Sequence, residues 1–305
     1  MKVAVYLSAV PPNKSENKIA TLKNFAYGVN YVGDTVELVT DYKVVDADIA
    51  ILQGFVHRDI SSAHLLLRKQ VLEQNKYTVI ADSNLFQFCD PERSNYYLRY
   101  SVNGVFPTTG FYFDNKIDQS RWPSLQSKLN VSLKDYRKEG THILVCLQRV
   151  GGWSMGESNV QTWLDNTVQS IRQNTDRPIV IRRHPGDRHQ MKLTFPKGVI
   201  VSGKKFLIED FKNCWATVTY NSSPGVASLI RGIPTFVTDP QAEKSQTWPV
   251  CNTTLKRLEN PKLSDREDWI NRLAQFHWNQ DELINGSAWL FMKERLELYE
   301  NSQSL

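Results

Sequence analysis

Arg177-Pro178-Ile179-Val180-Ile181-Arg182-Arg183-His184-Pro185-Gly186-Asp187-Arg188 is the stretch that decides how the chain folds. An apolar, β-favouring run leads straight into two arginines, a histidine and a Pro-Gly turn. This pattern predicts a buried strand that opens into a loop rich in positive charge and hydrogen-bond donors. In open α/β sheets, ligands bind outside the carboxyl end of a strand, and a phosphate is the natural guest of such a loop. A basic surface turn with a satisfied histidine is the alternative.

Outward from that stretch, alternation of strand and helix covers most of the 305 residues. In the first half, strands are expected at 2–9, 34–40, 46–53 and 77–81, with helices at 16–29 and 61–74. Ser61 is the expected cap of the second helix, and Leu65, Leu66, Val71 and Leu72 its apolar face. This βαβ order argues for a parallel sheet with right-handed crossovers. Residues 86–138 form an aromatic, Gly/Pro-punctuated region without clear period, and 134–140 reads as a charged linker. The alternation then restarts, with strands at 142–147, 178–181, 198–201, 216–219 and 234–237. Helices are expected at 159–174, 208–213 and 225–231, then a mostly helical tail over 265–300. The expected fold is α/β, with two Rossmann-like domains: 1–138, and 139–305 including the tail.

Bulk properties narrow the class. Hydrophobic content of 41% and charged content of 23% are those of a globular protein. A net charge of +5 is a mild bias towards anionic partners such as nucleotides, DNA or phosphorylated glycans. Cys89, Cys146, Cys214 and Cys251 are widely spaced and form no CxxC pair, which suits reduced, buried thiols. Met1-Lys2 leads into a strand without an apolar signal region, and no stretch has membrane-spanning length. A cytoplasmic protein with no membrane partner is the expectation.

Three strand-end loops of the second half are polar in complementary ways. Gln148-Arg149-Val150-Gly151-Gly152-Trp153 lets backbone amides approach a ligand. Arg182, Arg183 and His184 bring charged donors, with Pro185 turning the chain after them. After Asn221, Ser222 and Ser223 place two hydroxyls where a helix begins, although Ser before Pro-Gly is equally a structural cap. Together they predict a nucleotide-phosphate site. The first half lacks such a cradle and offers carboxylates instead. Asp82, at the end of Tyr77-Thr78-Val79-Ile80-Ala81, is placed to take a proton from an acceptor hydroxyl, with Asp59 and His57 as alternatives. An Asx turn or helix cap is the structural role open to Asp82. Asp46-Ala47-Asp48 precedes its strand and reads as a polar strand start. There is no zinc spacing, no GxxxxGK[ST] and no GxSxG elbow, so no metal or bound cofactor is expected.

The ordered set of motifs resembles a known family. His184-Pro185 followed by Ser222-Ser223 is similar to the His-Pro and Ser-Ser motifs of bacterial sialyltransferases and capsule-polysaccharide transferases. Ile80-Ala81-Asp82-Ser83-Asn84-Leu85-Phe86, Leu98-Arg99-Tyr100-Ser101, Cys146-Leu147-Gln148-Arg149 and Phe236-Val237-Thr238-Asp239-Pro240 extend the likeness over most of the chain. The whole resembles the capsule-synthesis-like GT-B glycosyltransferases that tailed phages encode. That resemblance implies a GT-B fold with a cleft between the domains. It also implies an inverting, metal-independent transfer from a cytidine- or uridine-linked sugar, in which His184 and the serines meet the donor phosphate. The typical ribose-binding acidic residue is not evident between Asn221 and Arg231.

Val79-Ile80-Ala81-Asp82 is also similar to the setting of the base in the T-even phage DNA β-glucosyltransferases. By that likeness the acceptor would be 5-hydroxymethylcytosine flipped out of double-stranded DNA, in an infected host's cytoplasm, and the sugar arabinose or glucose-like. Arg93, Arg99, Lys116 and Arg121 are then the expected phosphate contacts, and Tyr96, Tyr97 or Phe111 the stacking groups. The alternatives are a capsule or lipopolysaccharide glycan as acceptor, and a non-catalytic DNA- or glycan-binding protein.

Overall fold

The computed structural model describes residues 1–11, 16–54, 61–86, 97–104, 116–149, 153–155, 158–186 and 193–303. Contacts divide the chain into two units. The first comprises 1–84, 95–123 and 271–305, and the second 85–94 and 124–270.

The first unit is built on a six-stranded sheet. Four parallel strands form its body: β1 (Lys2–Tyr6), β2 (Thr35–Val39), β3 (Ile49–Gln53) and β4 (Tyr77–Ser83). Helices α1 (Glu16–Tyr31) and α2 (Ala63–Gln74) make crossovers, as the apolar runs of the sequence predict. Two further strands extend the sheet in antiparallel fashion, β5 (Tyr97–Val102) beside β4 and β11 (His277–Asn279) beside β5. Neither was expected.

α2 departs from expectation in detail. Its cap position is Ser62, one residue later than predicted, and its buried face is Leu67, Arg68 and Val71, while Leu66 is exposed. A guanidinium stands on the inner face where periodicity suggested leucines.

The second unit carries a five-stranded, wholly parallel sheet in the order β10-β9-β6-β7-β8. The strands are β6 (His142–Cys146), β7 (Ile179–Arg182), β8 (Ile200–Val201), β9 (Cys214–Thr219) and β10 (Thr235–Val237). Every residue of β9 is buried, as befits an inner strand covered on both faces. After α3 (Arg121–Leu129), which the aromatic region had concealed, comes α4 (Val160–Arg172). Its cap is Asn159, whose side chain accepts from the amides of Gln161 (2.7 Å) and Thr162 (3.3 Å). Val160, Trp163, Leu164, Thr167, Val168 and Ile171 then fall on one buried stripe. α5 (Leu207–Asp210) and α6 (Pro224–Ile230) complete the unit's short crossovers.

The tail contains α7 (Glu267–Ala274), α8 (Gln280–Ile284) and α9 (Ser287–Gln303). The sequence placed it with the second half, but from Asn271 onward it belongs to the first unit. The physical reason is its packing. Trp278, Leu283, Trp289, Met292 and Leu296 join the core of β1, β3, β4 and α1. Gly28 of α1 admits the tail so closely that a Cβ there would lie 1.9 Å from the Leu283 carbonyl oxygen. Residues 134–140 are likewise no free linker: Lys134 and Arg137 donate backbone amides to the carbonyls of Ile230 and Gly232 within the second unit.

Candidate functional site

Parallel pairing of the second sheet fixes where its loops emerge. β7, β6 and β9 are adjacent and point the same way, so residues 147–149, 183–186 and 220–223 all leave from one sheet edge. These are three of the polar segments singled out in the sequence. Gly151 and Gly152 lie outside the described residues, and Trp153 begins a short 3-10 turn, Trp153–Met155.

The side chains at this edge divide into two sets. The first is internal bracing. Gln148 and Asn221 are buried, and the Gln148 amide donates to Asn221 Oδ1. Asn221 Nδ2 in turn donates to the Ser154 carbonyl (2.9 Å) and to Asp239 Oδ2 (2.7 Å). Asp239 Oδ1 accepts the Gln241 amide at 2.9 Å. Asn221 thus ties together the ends of β6, β9 and β10. Asp239 was quoted in the sequence only as part of a motif; its partner is 18 residues away and unreadable from spacing.

Arg182 belongs to the same set. Its guanidinium pairs with the buried Asp210 carboxylate of α5 and reaches the carbonyls of Lys204 (3.3 Å) and Lys205 (3.2 Å). Alternation along β7 causes this. Ile179 and Ile181 face the α4 core, whereas Val180 and Arg182 face the α5 side.

The second set faces outward. Arg183 is exposed, with its guanidinium 5.9 Å from the centre of the Phe195 ring. His184 is half-buried, and its Nδ1 accepts the Gly186 amide at 2.9 Å. An Nδ1 that accepts cannot carry the proton, so the neutral ring holds it on Nε2 and acts there as a donor. Pro185 is exposed beside it and Arg149 is exposed at the end of β6. Ser222 shares a 2.6 Å hydrogen bond with the Thr219 hydroxyl. Ser223, at the cap position of α6, makes no side-chain capping bond.

In the first unit, Asp82 lies in β4 opposite Arg99 of β5, and Arg99 Nη2 donates to Asp82 Oδ2 at 2.8 Å. A second guanidinium, Arg68, is held by the Ala9 carbonyl at 2.8 Å. Burial lowers its pKa to about 10, and the negative charge of Asp82 opposes that shift. Gly54, at the end of β3, has φ +95° and would bring a Cβ within 3.0 Å of the Arg68 guanidinium. The carboxyl ends of β3 and β4 therefore meet around one carboxylate and two arginines.

Several expected DNA contacts are interior groups. Arg99 is buried in its pair with Asp82. Arg121 is buried, pairs with both carboxylate oxygens of Glu282, and lies 3.9 Å over the Trp278 ring. Tyr97 is buried, and its hydroxyl accepts from Asn279 at 3.2 Å. These three are corrected from surface contacts to buried residues, each paired with a side chain of the first unit. Lys116 is exposed and paired with Glu294. Asp59, Arg93, Tyr96 and Phe111 lie outside the described residues. Among the described residues no cluster of His, Cys, Asp or Glu has the makings of a metal site, and no helix is long and apolar enough to cross a membrane.

The arrangement has known counterparts. The chain shares its fold with two Kdo transferase structures. One is Thermosulfurimonas dismutans KpsC, beta Kdo 2,4 transferase, with TM-score 0.57 and 14% identity over 93% of this chain and 98% of that one. The other is Thermosulfurimonas dismutans KpsC, beta Kdo 2,7 transferase, with TM-score 0.54 and 13% identity over 95% and 99%. At these identities the likeness is one of fold, and it agrees with the expected GT-B class of two Rossmann-like units. No protein-family model matches the chain, and no curated protein does.

Proposed function

We propose that the chain is a glycosyltransferase that moves a sugar from a nucleotide sugar to an acceptor hydroxyl. The observation that carries this reading is the common sheet edge of residues 147–149, 183–186 and 220–223, which gathers Arg149, Arg183, His184 and Ser223 in a fold shared with sugar transferases. Arg183, the Nε2–H of His184 and the Ser223 hydroxyl donate to the departing phosphate as negative charge builds on it. Charge stabilisation by these groups gives a metal-independent mechanism. Asp82 accepts the proton of the attacking hydroxyl, and a single displacement inverts the sugar carbon. Asp59 is the alternative base.

For the acceptor, the motif order and the strand-end position of Asp82 support 5-hydroxymethylcytosine in DNA, with an arabinose or glucose-like sugar from a cytidine- or uridine-linked donor. The contacts to that DNA must then come from residues other than Arg99, Arg121 and Tyr97. A glycan acceptor is the second reading, favoured by the fold likeness to the two Kdo transferases.

Transfer of radiolabel from uridine- and cytidine-linked sugars separates the readings. Hydroxymethylated DNA, plain DNA and a Kdo-bearing glycan are offered in parallel, and label is expected on the first alone. Label on the glycan alone overturns the DNA reading. Label on none of the three, with His184→Ala still binding DNA or glycan as the wild type does, leaves a binding protein without turnover.

A further inference from the structure

β8 is the edge strand of the second sheet, and its register with β7 pairs Val201 with Ile181. The loop that follows β8 therefore starts beside the loop that carries Arg183 and His184. It reads Ser202-Gly203-Lys204-Lys205-Phe206, and both lysines and the phenylalanine are exposed, Phe206 to 51%. The Lys205 ammonium sits 5.1 Å from the centre of the Phe206 ring.

This loop is tethered at several points. Arg182 holds the carbonyls of Lys204 and Lys205, and Ser202 donates to Asp210 Oδ1 at 2.6 Å. The Phe206 amide is satisfied by Glu209 at 2.9 Å. The backbone is fixed from within, so the two ammonium groups and the ring are presented outward from a set position. Such presentation lowers the ordering cost of binding a partner. Two adjacent cations with one aromatic face match a phosphodiester backbone and an unstacked base beside it.

We propose that the Lys204-Lys205-Phe206 loop binds the phosphodiester backbone of the acceptor DNA next to the transfer site. The inference rests on the DNA reading given above and supplies the phosphate contacts that Arg99 and Arg121 do not make. An anionic membrane is the competing partner for a basic loop with an exposed ring. The loop's place at the sheet edge that carries Arg183 and His184 favours the acceptor itself.

The test uses the full chain, the double variant Lys204→Gln/Lys205→Gln and, separately, Phe206→Ser, all at exposed positions. A fluorescent duplex containing 5-hydroxymethylcytosine is titrated over a salt series, and steady-state kinetics are run on the same duplex. The expected result is a log–log salt slope shallower by about 1 per lysine removed. KM for the duplex rises in both variants while KM for the nucleotide sugar is unchanged. Wild-type slope and duplex KM in the double variant overturn the proposal while leaving the DNA reading intact. A wild-type chain that neither binds nor glycosylates the duplex overturns both. Sedimentation of the wild type with phosphatidylglycerol vesicles, lost in the double variant with duplex binding unchanged, also overturns the proposal and gives the loop to a membrane surface.

Discussion

Asp82 and Arg99 stand opposite each other in register across β4 and β5, carboxylate to guanidinium at 2.8 Å. The pair orients the carboxylate that the proposed mechanism uses as base. Asp82→Asn is therefore expected to lower kcat by about 10²-fold or more, the usual scale for losing a general base. Arg99→Met is expected to lower kcat less, because the carboxylate loses its partner but not its chemistry. Equal losses in both variants would reduce Asp82 to a structural role.

Arg182 and Arg183 are neighbours with opposite assignments. Arg182→Met strands the buried Asp210 carboxylate, and a loss of about 3 kcal/mol is expected in denaturant unfolding. Arg183→Met leaves stability within about 0.5 kcal/mol of wild type and instead raises KM for the nucleotide sugar. Unfolding curves and donor kinetics on the two variants check the division.

Asn221 joins three strand ends through its amide. Asn221→Ala is expected to cost roughly 2–3 kcal/mol, since Asp239 and Gln148 lose buried partners together. Asn221→Asp places a carboxylate against Asp239, so its unfolding midpoint rises as pH is lowered through the carboxylate range and one of the two takes a proton. A midpoint for this variant that tracks wild type at every pH refutes the account.

Acid sensitivity of the first unit traces in part to Asp34. Burial alone pushes its carboxyl up, but hydrogen bonds from the amino terminus, Lys293 and Trp289 outweigh that and hold it at about 2, against 3.8 when unperturbed. A depressed folded-state value gives stability that is complete above the unfolded value and is lost as pH falls from about 4 towards 2. The contribution is about 2 kcal/mol. Asp34→Asn flattens that limb of the stability curve, and urea unfolding between pH 5 and pH 2, a range set by these values, measures it.

Gly54→Ala tests the support beneath the Asp82 cluster. Its φ of +95° disfavours any other residue, and the new Cβ would press on the Arg68 guanidinium. A loss of about 1–3 kcal/mol is expected, together with a fall in kcat. Loss of stability with kcat unchanged would detach Arg68 from the site.

The strands legible in the sequence were those whose partners hardly matter. β1, β3, β6 and β9 are apolar runs that declare burial by themselves. β5 was illegible because it carries Arg99 and Tyr97, polar groups that become tolerable only once Asp82 and Asn279 are known to face them. β11 is three residues long, and its partner strand lies far upstream. The same limit applied to the candidate site. Spacing located the loops around Arg183, His184 and Ser223, but it could not tell that Arg182, Gln148 and Asn221 turn inward. Their partners Asp210 and Asp239 are distant in sequence and set by strand alternation and sheet order.

The return of the tail to the first sheet orders events during synthesis. The second unit's main segment ends at Ile270, so the strands of its sheet are all made before Asn271 and the residues after it are added. The first sheet, begun with Lys2, keeps an open edge at β5 until β11 and α9 arrive. That sheet is thus closed by residues translated after the second unit's main segment, with Trp278 and Trp289 as the groups that seal it.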